Sequence, residues 1–223
     1  MTERKDAVSL FPDDIYRRRF KGMEQYRKGM WKILCRDFFQ RYIPEQAIVV
    51  DVGAGFCEFI NHIKAVRKMA VDINPDARMH ADPDVEVLIC PSTDMEGISD
   101  GSADVIFTSN FFEHLTKIEI VKTVKEFHRL LKPGGRVLIL QPNIRYVYQD
   151  YWMFFDHVTP IDDRSLCELL EYSGFKIEKC ISRFLPYTTH SRLPKSLWLI
   201  KIYLLCPPLW RFIGGQAFVY ARK

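Results

Sequence analysis

Ala47-Ile48-Val49-Val50-Asp51-Val52-Gly53-Ala54-Gly55-Phe56-Cys57-Glu58-Phe59 decides how this chain folds. Ile48 to Val52 is a β-branched run broken only by Asp51, the pattern of a strand buried on both faces of a parallel sheet. Gly53 and Gly55 allow a sharp turn and bring bare backbone N–H groups close to a ligand. From about Cys57, the spacing of Phe59, Ile60, Ile63 and Val66 predicts a helix. Strand, glycine turn and helix N-terminus together form a nucleotide-type binding corner.

A second acid strengthens this reading. Met69-Ala70-Val71-Asp72-Ile73 is another short apolar strand, and Asp72 lies 21 residues after Asp51. That is near the distance at which a dinucleotide fold places its ribose-binding acid. The third glycine of the dinucleotide rhythm falls on Glu58, a residue unsuited to cradling a pyrophosphate. The pattern favours a ribose-bearing cofactor without a diphosphate.

Val49 to Phe59, Asp72, the run Asp104-Val105-Ile106-Phe107-Thr108-Ser109-Asn110-Phe111-Phe112-Glu113-His114-Leu115, and Phe127-His128-Arg129-Leu130-Leu131-Lys132-Pro133-Gly134-Gly135-Arg136-Val137-Leu138-Ile139 resemble the class I S-adenosylmethionine-dependent methyltransferases. The likeness is to the small-molecule branch and covers roughly residues 45–180 in order. It implies an α/β fold, a Rossmann-like doubly wound sheet of about seven strands with the last strand antiparallel. The implied cofactor is S-adenosyl-L-methionine, leaving S-adenosyl-L-homocysteine. By the resemblance, Asp51, Gly53 and Gly55 shape its methionine end, and Asp72, followed by Ile73, takes the ribose hydroxyls. Thr93, Asp94 and Met95 surround the adenine, and Ser109 and Asn110 lie beside the transferring methyl group. The family's adenine-side acid falls on Ser92 here, so Asp94 is taken in its place, with a helix N-cap as its other reading.

At 223 residues, with 48% hydrophobic and 27% charged content, the chain reads as one soluble globular domain. The plan is a helical cap (1–44), a cofactor-binding core (45–182), an apolar and basic insert (183–215) and a last strand (216–223). A net charge of +4 without a long basic run argues against a nucleic-acid partner. Six cysteines with no C-x-x-C pair read as free thiols, and no metal site is expected. Met1 to Asp6 lacks the apolar core of a signal peptide, which makes the cytoplasm the expected compartment.

Residues 12–42 carry a helical path through Tyr16, Phe20, Met23, Tyr26, Met30, Ile33, Leu34, Asp37 and Phe38. Arg17, Arg18, Arg19, Lys21, Arg27 and Lys28 lie on the other faces. This is an amphipathic helix packed on the sheet, and the resemblance makes it a cap over cofactor and substrate. Strands are expected at Val85–Cys90, Ala103–Ser109, Arg136–Leu140, Lys176–Ser182 and Gln216–Ala221. Helices are expected at Lys117–Leu131, stopped by a glycine cap at Lys132-Pro133-Gly134-Gly135, and at Asp162–Ser173.

Two stretches exceed a minimal version of this fold. Gln141 to His157 follows the fifth strand and is dense in aromatics. It reads either as the wall of an acceptor pocket, with Tyr146, Tyr148, Tyr151 and Trp152 as substrate-binding candidates, or as a hydrophobic cluster packing a long loop. Leu197 to Trp210 is too short to span a bilayer and is broken by Lys201 and Pro207-Pro208. With Arg183, Arg192, Lys195 and Arg211 it has the composition of an interfacial helix or a lid over a greasy substrate, so that residues 195–212 could touch a membrane. A packed accessory helix or an oligomer contact is the alternative.

Methyl transfer from a sulfonium needs positioning above all, and a base only where the acceptor arrives protonated. His157, preceded by Asp156, is the first candidate for that base, and His114 the second. The expected activity is methylation, with O-methylation leading, of a small, aromatic or lipid-linked acceptor such as a glycan, quinone or natural-product precursor. A non-catalytic cofactor-binding assembly partner is the competing class, and RNA methylation is disfavoured.

Overall fold

The computed structural model describes residues 19–187 and 196–223. Seven strands form one sheet: β1 (Ile48–Val52), β2 (Arg67–Asp72), β3 (Val85–Ile89), β4 (Ala103–Ser109), β5 (Leu131–Pro142), β6 (Lys176–Ile181) and β7 (Gln216–Arg222). Their order is β3-β2-β1-β4-β5-β7-β6. The first five pair in parallel, and β7 runs antiparallel between β5 and β6. This is the doubly wound sheet the sequence predicts. The winding reverses between β1 and β4, and open α/β sheets bind ligands at the carboxyl ends of the strands on such a crevice.

Alternation along the central strands builds a core on each face. Val49, Val105 and Phe107 point to one side with Trp31, Leu34, Phe38 and Phe39. These come from helix α1 (Glu24–Asp37) and the turn after it. Tyr203 and Leu204 of α6 (Leu197–Leu205) close the same layer, with α7 (Pro207–Ile213) behind it. Val50, Val52 and Ile106 point to the other side. There they meet Ile120, Val124, Phe127 and Leu130 of one helix (Lys117–Leu130) and Leu166 and Leu170 of another (Asp163–Tyr172). Both of these helices begin in capping boxes, at Thr116–Glu119 and Asp162–Ser165, which satisfy N–H groups that a helix end otherwise leaves bare. No helix among the described residues is long and apolar enough to cross a membrane.

Several local expectations are corrected. The stretch after the glycine turn is a run of turns rather than a regular helix. Cys57 sits at φ +54°, a left-handed conformation that a continuous helix excludes. Phe59, Ile60 and Ile63 are buried, but Val66 is exposed. In the cap, Gly22 at φ +78° separates Arg19–Phe20 from α1, so the 12–42 helix is broken. Tyr16, Arg17, Arg18, Arg192 and Lys195 lie outside the described residues. No glycine caps the helix that ends at Leu130. Its chain turns extended at Leu131 and enters β5 directly, consistent with Pro133 disfavouring helix at Lys132. The apolar insert is two helices, divided where Pro207 opens α7.

Candidate active site

The glycine turn is tight for a physical reason. Gly53 takes φ +72°, and a β-carbon there would lie 2.4 Å from Phe111 Cδ2. Its N–H donates to the Val71 carbonyl at 2.9 Å, which ties the turn across β1 and β2. Asp72, at the end of β2, accepts from Gly55 N–H and Asn74 N–H, each at 2.8 Å. With a further backbone hydrogen bond from Ile73, the carboxylate keeps acceptor capacity for about one more donor. Asn110 also takes a positive φ, +48°, the kind of backbone outlier that concentrates at functional sites.

Beneath the cap lies a cavity of about 380 Å³. Asp51, Gly53, Ser109 and Asn110 contribute from the strand ends, and Tyr26, Arg27, Met30 and Trp31 from the cap. Leu199, Ile200, Ile202, Tyr203, Leu209 and Ile213 form a wall from α6 and α7. Glu113, His114, Phe154, His157 and Tyr187 line it further. Glu58, the residue at the would-be third glycine, is also in the wall and is paired with Arg27 through Nε–Oε1 at 3.0 Å. The cap thus neutralises the acid beside the glycine turn.

Of the residues singled out from the sequence, Asp51, Gly53, Ser109, Asn110, His114 and His157 share this cavity. Gly55, Asp72, Ile73, Thr93 and Asp94 do not line it; they follow the adjacent ends of β1, β2 and β3. Ile73 and Asp94 are exposed, and Thr93 is half-buried. Met95 is fully buried in the second core, and its N–H donates to Glu126 at 2.8 Å, so its side chain is committed to packing. Ser92 is buried and bonded to Thr123 at 2.7 Å. No helix starts at Asp94 to be capped.

The aromatic candidates fall elsewhere. Tyr151 is completely buried and its hydroxyl donates to the Thr159 carbonyl. Tyr146, Tyr148 and Trp152 are exposed, Tyr146 lying against Arg145 and Arg183. From this loop Phe154 and His157 reach the cavity instead. Glu113, Tyr187 and Trp31 were not singled out. Glu113 adjoins His114 in sequence and could have been, while Tyr187 stands in no pattern.

Among the described residues, four that line the cavity carry buried polar atoms without a hydrogen-bond partner: Trp31 Nε1, His157 Nδ1, Tyr187 Oη and Gln216 Oε1. Buried polar groups are nearly always paired, so this concentration marks a place where a ligand completes the bonding. The titrating groups agree. Burial, with Asp72 nearby, holds the Asp51 carboxyl well above the usual carboxylate range. Burial also raises Asp72 and Glu113. His157 is pushed down to about 4 by burial and by His114. Burial would raise Asp156, but Arg19, bonded to it at 2.6 Å, and His114 bring it below its ordinary value.

Residues 23–179 match a family model described as a methyltransferase domain. The chain belongs to that methyltransferase family. Among curated proteins it is similar to the ubiquinone/menaquinone biosynthesis C-methyltransferase UbiE of Rubrivivax gelatinosus, 27% identical over 122 residues. That match spans 51% of this chain and 47% of the relative, so it reaches about half the relative's length. Among solved structures, an S-adenosylmethionine-dependent methyltransferase of Archaeoglobus fulgidus superposes with a TM-score of 0.67 at 20% identity, over 96% of this chain and all of that one. A putative methyltransferase of Haloferax volcanii, solved with the activator Trm112, gives 0.65 at 19% identity over 92% and 93%. Likenesses at this identity establish the class I methyltransferase fold.

The methyltransferase family's cofactor is S-adenosylmethionine, and the residues present fit it. Asp72 keeps acceptor capacity for one further donor at the end of β2. Asp51, a buried carboxyl with no cationic partner among the described residues, faces a cavity where a sulfonium and an ammonium would offset its charge. The backbone at Gly53 is bare and has no room for a side chain.

Proposed function

We propose that this methyltransferase transfers a methyl group from S-adenosylmethionine to an oxygen of a hydrophobic acceptor that it meets at a lipid surface. When bound, the cofactor supplies an electrophilic methyl group on a good leaving group. Asp51 and the Gly53–Gly55 backbone would hold its methionine end, and Asp72 its ribose. Ser109 and Asn110 would flank the reacting centre. Glu113, His114 and His157 would face the acceptor, and the cap with α6 and α7 would exclude water. The protein's main contribution is then alignment, worth up to about 7–11 kcal/mol.

One observation carries the acceptor class. The two helices that wall the cavity with apolar side chains also expose Trp198, Leu205 and Phe212 to solvent, beside exposed Lys201 and Arg211. Exposed apolar side chains flanked by cations suit contact with a lipid surface, and here the back of that segment is the pocket. A ring carbon is the second reading for the acceptor atom, favoured by the name of the Rubrivivax relative.

The test is flotation of the full chain with anionic phospholipid vesicles, alongside a Trp198→Asp, Leu205→Asp, Phe212→Asp triple variant. The unaltered chain should float and the variant should not, with S-adenosylhomocysteine affinity equal in both. Failure of the unaltered chain to float would overturn the surface reading.

A further inference from the structure

We propose that Glu113, His114 and His157 bind one divalent transition-metal ion at the acceptor end of the cavity, with an open coordination face toward the substrate. Donor atoms of the three residues lie within 4.8 Å of one another, and all three residues line the cavity. They come from two segments, the turn after β4 and the end of the aromatic loop, so the fold and not a local motif assembles them.

The hydrogen bonds around the cluster leave a lone pair free on each side. His114 Nδ1 is 3.1 Å from the Asp156 carbonyl oxygen. A carbonyl only accepts, so Nδ1 carries a proton and Nε2 is the ring nitrogen left to offer a lone pair to an ion. That Nε2 is 3.9 Å from Glu113 Oε1, too long for a hydrogen bond. Ligands bonded to one ion at about 2.1 Å stand roughly 3.0–3.4 Å apart, so this pair needs to close by about half an ångström and the widest pair of the three by up to about 1.4 Å. The other carboxylate oxygen of Glu113, Oε2, accepts from Gln141 Nε2 at 2.8 Å, leaving Oε1 for the ion. A carbonyl behind a histidine and an amide behind a carboxylate are the outer-shell partners that orient metal ligands.

Two further observations point to an occupant. His157 is 8% exposed, and its Nδ1 has no hydrogen-bond partner among the described residues. The nearby guanidinium does not supply the missing positive charge, because Arg19 pairs with Asp156 at 2.6 Å and lies over Phe154. Two imidazoles and one carboxylate suit Zn²⁺, Co²⁺, Fe²⁺ or Mn²⁺ better than Mg²⁺ or Ca²⁺. Three protein ligands leave at least one position open, as catalytic rather than structural sites do. The ion's task rests on the function proposed above: an acceptor oxygen bound to it would be held in place and made more acidic. In this arrangement the two histidines read from the sequence as bases are ligands instead. Metal binding itself does not depend on that reading.

Co²⁺ titrated into the chelator-treated full chain, followed by visible absorption, tests the site. One equivalent should saturate with the weak bands of a nitrogen and oxygen site. Glu113→Gln and His157→Asn should each weaken binding by at least about tenfold while S-adenosylhomocysteine still binds by calorimetry. Should either variant lose that binding through misfolding, His114→Gln, at a half-exposed position, must show the same loss of Co²⁺. No saturable binding, affinity unchanged in the variants, or a thiolate-to-cobalt charge-transfer band would overturn the proposal and return the histidines to the role of bases. Failure to bind S-adenosylhomocysteine in the unaltered chain would instead strike at the methyltransferase reading.

Discussion

Gly53→Ala is the perturbation whose cost can be worked most directly from the geometry. Holding a residue with a β-carbon at φ +72° costs about 1–2 kcal/mol. The new β-carbon would also stand 2.4, 2.8 and 3.0 Å from three atoms of the Phe111 ring. Moving that ring from a packed position costs about 1–3 kcal/mol more. Urea unfolding should therefore show a loss of roughly 2–5 kcal/mol, with weaker S-adenosylhomocysteine binding. The two contributions separate in a double-mutant cycle. In a Phe111→Ala background the steric part vanishes and only the backbone part remains, a coupling of about 1–3 kcal/mol. A Gly53→Ala protein within about 0.5 kcal/mol of the unaltered one would refute the reasoning. Equal costs in both backgrounds would remove Phe111 from it.

Three other outcomes follow from the site. Asp72→Ala removes a charged acceptor of loop N–H groups and, on the cofactor placement proposed above, of the ribose, so S-adenosylhomocysteine affinity by calorimetry should fall by about a hundredfold or more. The raised carboxyl of Asp51 should release a proton when the cationic cofactor binds. Calorimetry of S-adenosylmethionine in buffers of different ionisation enthalpy should detect that release, and Asp51→Asn should abolish it. His157 has a folded pKa near 4 against 6.5 unfolded, so the unfolded chain binds the extra proton between these values. Its contribution is full above pH 6.5 and is lost as pH falls toward 4, up to about 3 kcal/mol. His157→Gln should flatten that part of the stability–pH curve, and identical slopes would refute it.

Most strands, and the doubly wound class, were legible because the central strands are short apolar runs ending at recognisable turns, and because the Asp51, Asp72 and Glu113-His114 stretches stand in family order. The helix expected after Gly55 was not. Phe59, Ile60 and Ile63 are buried as their spacing suggests, but hydrophobic spacing reports which side chains are covered, not the left-handed φ at Cys57. The aromatic loop shows the same limit. Its composition announced rings near the strand ends, yet Tyr151 turns inward to Thr159 while Tyr146, Tyr148 and Trp152 face solvent. The Arg27–Glu58 pair joins residues 31 apart, and Tyr187 reaches the cavity from a segment without periodicity. Only the packed structure brings these together.

Gly29 has a consequence for how the cavity opens. A β-carbon on this residue of α1 would sit 2.7 Å from Leu197 Cδ1, so the absence of a side chain lets the first turn of α6 rest directly on the cap. The two covers of the cavity therefore pack against each other at this point. Between them they carry Arg27, gripping Glu58 beside the glycine turn, at one place and the outward-facing Trp198 at another. A bulkier residue at Gly29 would push Leu197 away and part α6 from α1 along the cover of the cavity.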